Sequence, residues 1–78
     1  MIFEQLKALL AEQFGVDAES ITKETSFEED LGADSLDLVD MSMALEEVFG
    51  VDELTEEEIG GITTVGDLVR FLQSRVDN

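Results

Sequence analysis

Residues 31–49 read LGADSLDLVDMSMALEEVF, and the remainder of the chain is arranged around this stretch. Asp34 and Asp37 have the spacing of a helix N-cap and its third helical residue, which predicts a capping box built from two carboxylates. The pattern then stays helical for about four turns, and the glycine that follows Phe49 stands where glycine commonly ends a helix. The stretch therefore predicts a helix over residues 35–49, with Ser35 at the point where a loop ends and the helix begins.

The predicted helix has two apolar faces. Side chains at helical spacing form the face that we expect in the core, namely Leu38, Met41, Leu45, Val48 and Phe49. Leu36 and Met43 fall nearly opposite, with Val39 on their flank, and a ring of acids surrounds them at Asp40, Glu46 and Glu47. Apolar side chains within a ring of acids are typical of a docking surface. Scattered surface hydrophobes are also common and need no function, so both interpretations stand.

The composition restricts the class of protein. The chain has 78 residues, which allows a single domain (residues 1–78) with a small core and modest stability. Cysteine and histidine are absent, which excludes disulfides, thiolate metal sites and the usual general base near neutral pH. No apolar run approaches the length of a membrane span, and the amino terminus lacks a basic region followed by a hydrophobic stretch. We therefore expect a cytoplasmic protein that does not insert into membranes.

Charge is the most pronounced feature of the composition. The chain has 20 acidic residues against 4 basic ones, a net charge of −16, and residues 24–69 contain no lysine or arginine. This excludes direct binding to nucleic acid and favours basic protein partners, because complementary fields speed encounter and select partners. A coat that only keeps the protein soluble explains acidity in general, and it explains the crowding of acids after Ser35 less well. We expect a folded chain that self-repulsion weakens and that salt or divalent cations strengthen.

Helical periodicity continues on both sides of the central stretch. Residues 1–14 predict a first helix, whose core-facing side chains are Phe3, Leu6, Leu10 and Phe14. Thr55 and Glu58 predict a capping box that opens a short third helix, which two consecutive glycines stop almost at once. Thr64 and Asp67 predict a similar start for a last helix, whose apolar stripe is Val65, Leu68, Val69, Leu72 and Val76.

A long connection over residues 16–34 separates the first two helices. We expect four apolar side chains to hold it against the core, namely Val16, Ile21, Phe27 and Leu31. Residues 17–20 and 26–30 predict short helical turns, the second opened by a capping box of Ser26 and Glu29. No strand alternation and no repeat is present. The predicted fold class is all-α, a small four-helix bundle with a long first loop and a short third helix.

The residues do not favour an enzyme. Ser35 needs a neighbouring base to act as a nucleophile, and the two lysines, Lys7 and Lys23, are far away in sequence. Asp34 and Asp37 are paired carboxylates, but a chain this small offers little cleft to hold a sugar. The acidic clusters fit an EF-hand loop in no register, so we expect no dedicated metal site.

Ser35 is left as an acceptor for a modification. A phosphodiester at this position meets free backbone N–H groups and the positive end of the helix dipole. Asp34 and Asp37 oppose an anion there, so the local electrostatics are mixed. The alternative is a serine that only caps the helix, and the residues by themselves favour that plain interpretation.

Longer sequence matches favour the modification of Ser35 over the plain capping role. Residues 27–37, FEEDLGADSLD, resemble the signature of acyl carrier proteins. Val39, the run MALEE at residues 43–47 and Phe49 are similar to that family's second helix, and residues 62–67, ITTVGD, resemble the start of its last helix. The resemblance covers essentially the whole chain.

The resemblance implies a four-helix bundle that carries cargo and is not an enzyme. Ser35 would hold a 4′-phosphopantetheine arm, which a phosphopantetheinyl transferase installs from coenzyme A, and the thiol of the arm would hold acyl chains as thioesters. The protein would be a monomer that shuttles intermediates between fatty acid synthesis enzymes with basic docking patches. Two alternatives stay open: a carrier for polyketide or specialised lipid synthesis, and an unmodified acidic adaptor for basic partners.

The resemblance also assigns residues to two surfaces. The partner interface would consist of Asp34, Leu36, Asp37, Asp40, Met43, Glu46 and Glu47. The acyl pocket would be lined by Val39, Met41, Leu45, Ile59, Ile62 and Leu68. Two departures concern the rim of this pocket, because residues 51–54 replace the family's isoleucine-proline pair with VDEL and Gly60-Gly61 replaces a polar helix end. We expect both changes to loosen the third helix.

Overall fold

The computed structural model describes residues 2–76. Within that range four α-helices span Ile2–Phe14 (α1), Ser35–Phe49 (α2), Glu56–Gly60 (α3) and Val65–Val76 (α4), and a 3₁₀ turn covers Ala18–Ser20. The same residues contain no strand, only an isolated antiparallel bridge between Ser26 and Thr64. The predicted all-α class, with a long first loop and a short third helix, is confirmed. Met1, predicted to open the first helix, lies outside the described residues.

The helix ends follow from local side-chain chemistry. The Asp34 carboxylate accepts the Asp37 N–H at 3.0 Å, and the Asp37 carboxylate accepts the Asp34 N–H at 3.2 Å. Gly50 ends α2 in the left-handed conformation, with φ of 67°. Thr55 and Glu58 form the predicted capping box at the start of α3. These short-range signals were readable because each lies within four residues of the helix end that it stabilises.

The core is a layer of apolar side chains shared by three helices and the first loop. Its fully buried members include Leu6, Leu10, Phe27, Met41, Leu45, Val65, Leu68 and Leu72. Phe3 and Phe14 of α1 are only half-buried and pack against this layer from outside. No helix within residues 2–76 has the length and apolar content that crossing a bilayer demands.

The long loop is anchored to the start of α4 by backbone hydrogen bonds. Thr63 accepts the Phe27 N–H at 3.1 Å, Thr25 accepts the Val65 N–H at 2.9 Å, and Lys23 accepts the Gly66 N–H at 2.8 Å. A Cβ at Gly66 would lie 2.9 Å from the Lys23 carbonyl oxygen, so this approach requires glycine. The loop is therefore fixed in place although its regular structure is a single short turn.

The loop contains one correction to the predicted capping boxes. Ser26 Oγ accepts the Glu29 N–H at 3.1 Å as expected, but the Ser26 N–H donates to the Asp30 carboxylate, not to Glu29. Residues 27–30 form the predicted turn, in which the Ser26 carbonyl accepts the Asp30 N–H at 3.0 Å. The predicted turn at residues 17–20 is confirmed, because Asp17 caps the 3₁₀ turn and accepts the Glu19 N–H.

Two valines predicted to face the core are exposed. Val48 is 57% exposed and Val76, the last described residue of α4, is 42% exposed. Ser42 is buried in place of Val48, and its hydroxyl accepts the Leu54 N–H at 3.1 Å. On a helical wheel Ser42 and Val48 lie about 60° to either side of Leu45, so hydrophobicity favours the valine. Ser42 is nevertheless the buried residue, because the link after α2 covers the side of the helix that carries it.

Candidate functional site

Ser35 is the first residue of α2 and is exposed. Asp34, not Ser35, is the N-cap, so the predicted plain capping role of the serine is filled by its neighbour. Within residues 2–76 the Ser35 hydroxyl makes no hydrogen bond. The hydroxyl is therefore accessible and chemically unengaged, as a group that accepts a covalent modification needs to be.

The turn before Ser35 holds it at the surface. Gly32 has a φ of 63°, a conformation that side chains rarely adopt. Ala33 is buried, and its N–H donates to the Phe27 carbonyl at 2.8 Å. Because the chain is anchored at Ala33 and capped at Asp34, the next residue has a defined position and an outward direction.

A cleft of about 770 Å³ opens beside Ser35, between the first loop, α2 and α3. Its apolar lining consists of Phe27, Ala33, Leu38, Val39, Ile59 and Ile62. Its polar lining includes Ser35 itself together with Glu28, Asp34, Glu56 and Thr63. The volume is in the range of small-molecule sites, whose linings combine apolar side chains with a few polar groups.

The residues that sequence assigned to an acyl pocket divide into two groups. Val39, Ile59 and Ile62 line the cleft. The other three, Met41, Leu45 and Leu68, are at most 1% exposed and lie in the core, outside the cleft lining. Sequence reasoning missed Phe27, Ala33 and Leu38 as lining residues. Phe27 and Ala33 belong to the quoted FEEDLGADSLD signature, which was the signal that could have found them.

The residues assigned to a partner interface lie on the outward surface of α2. Leu36 is 75% exposed and Met43 is 49% exposed, each an apolar side chain on a polar surface. The carboxylates assigned with them, Asp34, Asp40, Glu46 and Glu47, are on exposed residues. Asp37 is half-buried, because it is also part of the capping box.

Among residues 2–76, no lysine or arginine lines the cleft beside Ser35. Three of its polar lining residues carry carboxylates, which gives the entrance a negative potential. Within residues 2–76 no group of three acidic, histidine or cysteine side chains is arranged to hold a metal ion.

The far rim of the cleft is α3, and Glu58 fixes it from two sides. One Glu58 oxygen accepts the Thr55 N–H at 2.9 Å, and the other forms an ion pair with Arg75 of α4. The Thr55 backbone N–H, with further help from Arg75, holds the pKa of Glu58 below its ordinary value. The Glu58 carboxylate thus ties the shortest α-helix to the longer α4.

Comparison with known proteins gives concordant results. Residues 4–72 match the protein family described as PP-binding, phosphopantetheine attachment site. The chain is 46% identical over 77 residues to the acyl carrier protein of Clostridium acetobutylicum, covering 99% of both chains. It is 50% identical over 72 residues to the acyl carrier protein of Helicobacter pylori strain G27, covering 92% of this chain and 91% of that protein.

One solved structure supports the fold. It is titled "Solution structure of the apo doublet acyl carrier protein from prodigiosin biosynthesis", and it matches with a TM-score of 0.79 at 23% sequence identity. The match covers 95% of this chain but 35% of that longer chain. At this identity the likeness extends to the helical architecture and no further.

Proposed function

This chain belongs to the acyl carrier protein family, and on that premise we propose that it carries acyl intermediates of fatty acid synthesis on an arm attached to Ser35. The group that the family carries is 4′-phosphopantetheine. The observation that supports Ser35 as its attachment point is the exposed hydroxyl at the start of α2, which has no hydrogen-bond partner within residues 2–76. The likeness to two acyl carrier proteins, over 99% and 92% of this chain, supports the carrier role.

The residues present fit a phosphopantetheine arm. The first N–H groups of a helix have no acceptor within the helix, and the Asp34 side chain takes only that of Asp37. The N–H groups of Ser35 and Leu36 are left to receive a phosphodiester oxygen at the positive end of the helix dipole. When bound, the arm supplies a thiol that holds acyl chains as thioesters, a group that this cysteine-free chain lacks.

The cleft beside Ser35 is suited to shelter an apolar chain. Val39, Ile59 and Ile62 provide an apolar wall on the α2 and α3 sides. Burying methylene groups against such a wall is worth about 0.8 kcal/mol each, so longer chains are held more firmly. The fully buried Met41, Leu45 and Leu68 lie in the core, and we assign them to the region that a long chain enters when the helices move apart.

The exposed face of α2 is the proposed docking surface for partner enzymes. Leu36 and Met43 supply apolar contact, and the acids around them attract basic patches. A phosphopantetheinyl transferase and the fatty acid synthesis enzymes dock here, and they supply the cations that the cleft lacks. The chain itself contributes no chemical step and works in the cytoplasm as a monomer.

Reconstitution with bacterial fatty acid synthesis enzymes tests this proposal. The phosphopantetheinylated protein is expected to accept a malonyl group and to support chain elongation. Mass spectrometry of the intact protein measures both steps. Ser35→Ala is expected to support neither step. Ser20→Ala removes another exposed serine hydroxyl and is expected to behave as the parent.

Two outcomes would overturn parts of the proposal. Loading without elongation by these enzymes, together with elongation by a polyketide ketosynthase, would assign the carrier to polyketide synthesis. Elongation that survives Ser35→Ala would remove Ser35 from the attachment role altogether.

A further inference from the structure

A second groove lies between α1 and α2, away from Ser35. It has a volume of about 660 Å³ and shares no lining residue with the cleft beside Ser35. One wall is a face of α1 and the other is the Ala44–Val48 part of α2. On α2, Val48 and Val39 lie about 180° apart around the helix axis, so the groove and the cleft are on opposite flanks of the buried stripe.

The floor of this groove is apolar and made partly of small side chains. It contains Ala8, Leu9, Ala44 and Val48, of which Val48 is 57% exposed. A single exposed valine needs no explanation, but here it is continuous with three other apolar side chains. Alanine on both walls leaves room for the backbone of another element to approach closely.

The rim of the groove is acidic. Glu12 lies on the α1 side and Glu47 on the α2 side, with Gln5 and Gln13 at the α1 edge. In the described part of the chain, no lysine or arginine lines the groove. A second copy of this chain is a poor occupant, because each copy carries a net charge of −16 and the approaching surfaces repel. A cationic partner has the complementary charge.

We propose that this groove is a second docking site, which binds an amphipathic helix with a small apolar face and flanking lysine or arginine side chains. The α1 wall from Gln5 to Gln13 is about 12 Å long, which matches about two turns of a partner helix. The apolar face of that helix lies on Ala8, Ala44 and Val48, and its cations pair with the two glutamates. This is the helix-in-groove mode of recognition.

In this proposal Glu47 belongs to the groove and no longer to the surface around Leu36 and Met43. The groove also lets the chain bind one partner while Ser35 stays accessible. Glu47 lines this groove, so it contacts the helix docked here. A partner held in the groove leaves Ser35 and its cleft uncovered. The chain can then stay attached to one basic protein while another molecule reaches Ser35. The proposal does not depend on the modification of Ser35, because no groove residue takes part in it.

An NMR titration of the isotope-labelled protein tests the proposal. The probe is a synthetic helical peptide of about 15 residues, with alanine and leucine on one face and lysine on the other, and its control is a scrambled peptide of the same composition. Amide shifts are expected at residues 5–13 and 44–48. Val48→Ser is expected to weaken binding about fivefold, because apolar contact area is lost. Val76→Ser, the same change at an exposed valine of α4, is expected to leave binding within about twofold.

Five results would overturn the proposal, and four of them come from the titration itself. They are an equal effect of the scrambled peptide, shifts centred on Leu36 and Met43, unchanged affinity in Val48→Ser, and the absence of any shift. Shifts at residues 5–13 that appear on concentrating the protein without peptide would assign the groove to a second copy and would also contradict it.

Discussion

At the scale of single residues, Asp34 and Ser35 divide two tasks. Asp34 caps α2 with its carboxylate, while Ser35 keeps its hydroxyl free of hydrogen bonds within the described residues. At the cap itself, the hydroxyl oxygen of a serine would accept a hydrogen bond from a backbone N–H, as Ser26 Oγ does from the Glu29 N–H. The shift by one position therefore leaves an exposed serine hydroxyl at the start of a well-anchored helix.

The close approach of Gly66 to Lys23 leads to a prediction about stability. Gly66→Ala places a Cβ 2.9 Å from the Lys23 carbonyl oxygen and 3.3 Å from the Lys23 Cβ. We expect a loss of about 1–2 kcal/mol in the free energy of unfolding, because the loop must move away from α4. Urea titration measures the difference.

Gly60→Ala is the matched control for this substitution. Gly60 is helical, and a Cβ there meets nothing within 4 Å. The change is expected to raise the free energy of unfolding by about 0.5–1 kcal/mol through helix propensity. Equal effects of the two substitutions would show that close packing at Gly66 does not decide the outcome.

At the scale of helices and loops, the helix ends and the centre of each buried stripe were predictable, and the margins of the stripes were not. Capping boxes and terminal glycines act over three or four residues, so the bounds of α2 and α3 followed from sequence. Which edge of the apolar stripe of α2 is buried depends on the link that covers Ser42. A helical wheel contains no information about that link. The pairing of Lys23 and Thr25 with residues 65–66 joins segments about forty positions apart, and no local signal marks it.

The residues of the candidate site likewise include some that the sequence predicted and some that it did not. Ser35 and the exposed Leu36 and Met43 followed from local pattern and from the family signature. The cleft lining did not, because Phe27 and Ala33 reach it only through the fold of the loop. The second groove was hidden by the expectation that Val48 faces the core.

The hydrogen bonds of Asp67 at the start of α4 lead to a prediction about how stability depends on pH. Its carboxylate accepts the N–H groups of Thr64 and Thr63, both at 3.1 Å, and lies beside Arg70. These bonds, that of Thr64 first, hold the pKa of Asp67 below its ordinary value of 3.8. A lowered pKa in the folded state means that the carboxylate stabilises the fold above pH 3.8 and that this stabilisation is lost as pH falls through the folded pKa.

Asp67→Asn is therefore expected to lower the free energy of unfolding at pH 7. The difference from the parent is expected to shrink as pH falls below 3.8, where the parent loses its own carboxylate. Arg70→Gln is the control, and it should keep most of this pH dependence, because the backbone N–H groups are the main cause. A difference that stays constant between neutral and acidic pH contradicts the assignment.

At the scale of the whole molecule, charge acts on stability and on docking in opposite directions. The molecule measures 30 × 25 × 20 Å and carries a net charge of −16. At about 0.01 M salt the Debye length is about 30 Å, so every carboxylate repels most of the others. At about 0.15 M salt it falls to about 8 Å, and the repulsion is largely screened.

Raising salt over this range is expected to increase Tm by about 5 °C and to slow the phosphopantetheinyl transferase reaction. Calorimetry and the initial rate of modification measure the two effects. Replacing sodium by choline at equal ionic strength is the control, and it should give the same Tm if screening is the cause. A Tm independent of ionic strength would show that self-repulsion does not limit this fold.

The central claim is that Ser35 is the attachment point of the arm, and the intact mass of the protein tests it most directly. The purified apo protein, Ser35→Ala and Ser20→Ala are each incubated with coenzyme A and a broad-specificity phosphopantetheinyl transferase. The account predicts the addition of one phosphopantetheine to the parent and to Ser20→Ala, and none to a folded Ser35→Ala. Addition to Ser35→Ala, or no addition to the folded parent, would contradict it.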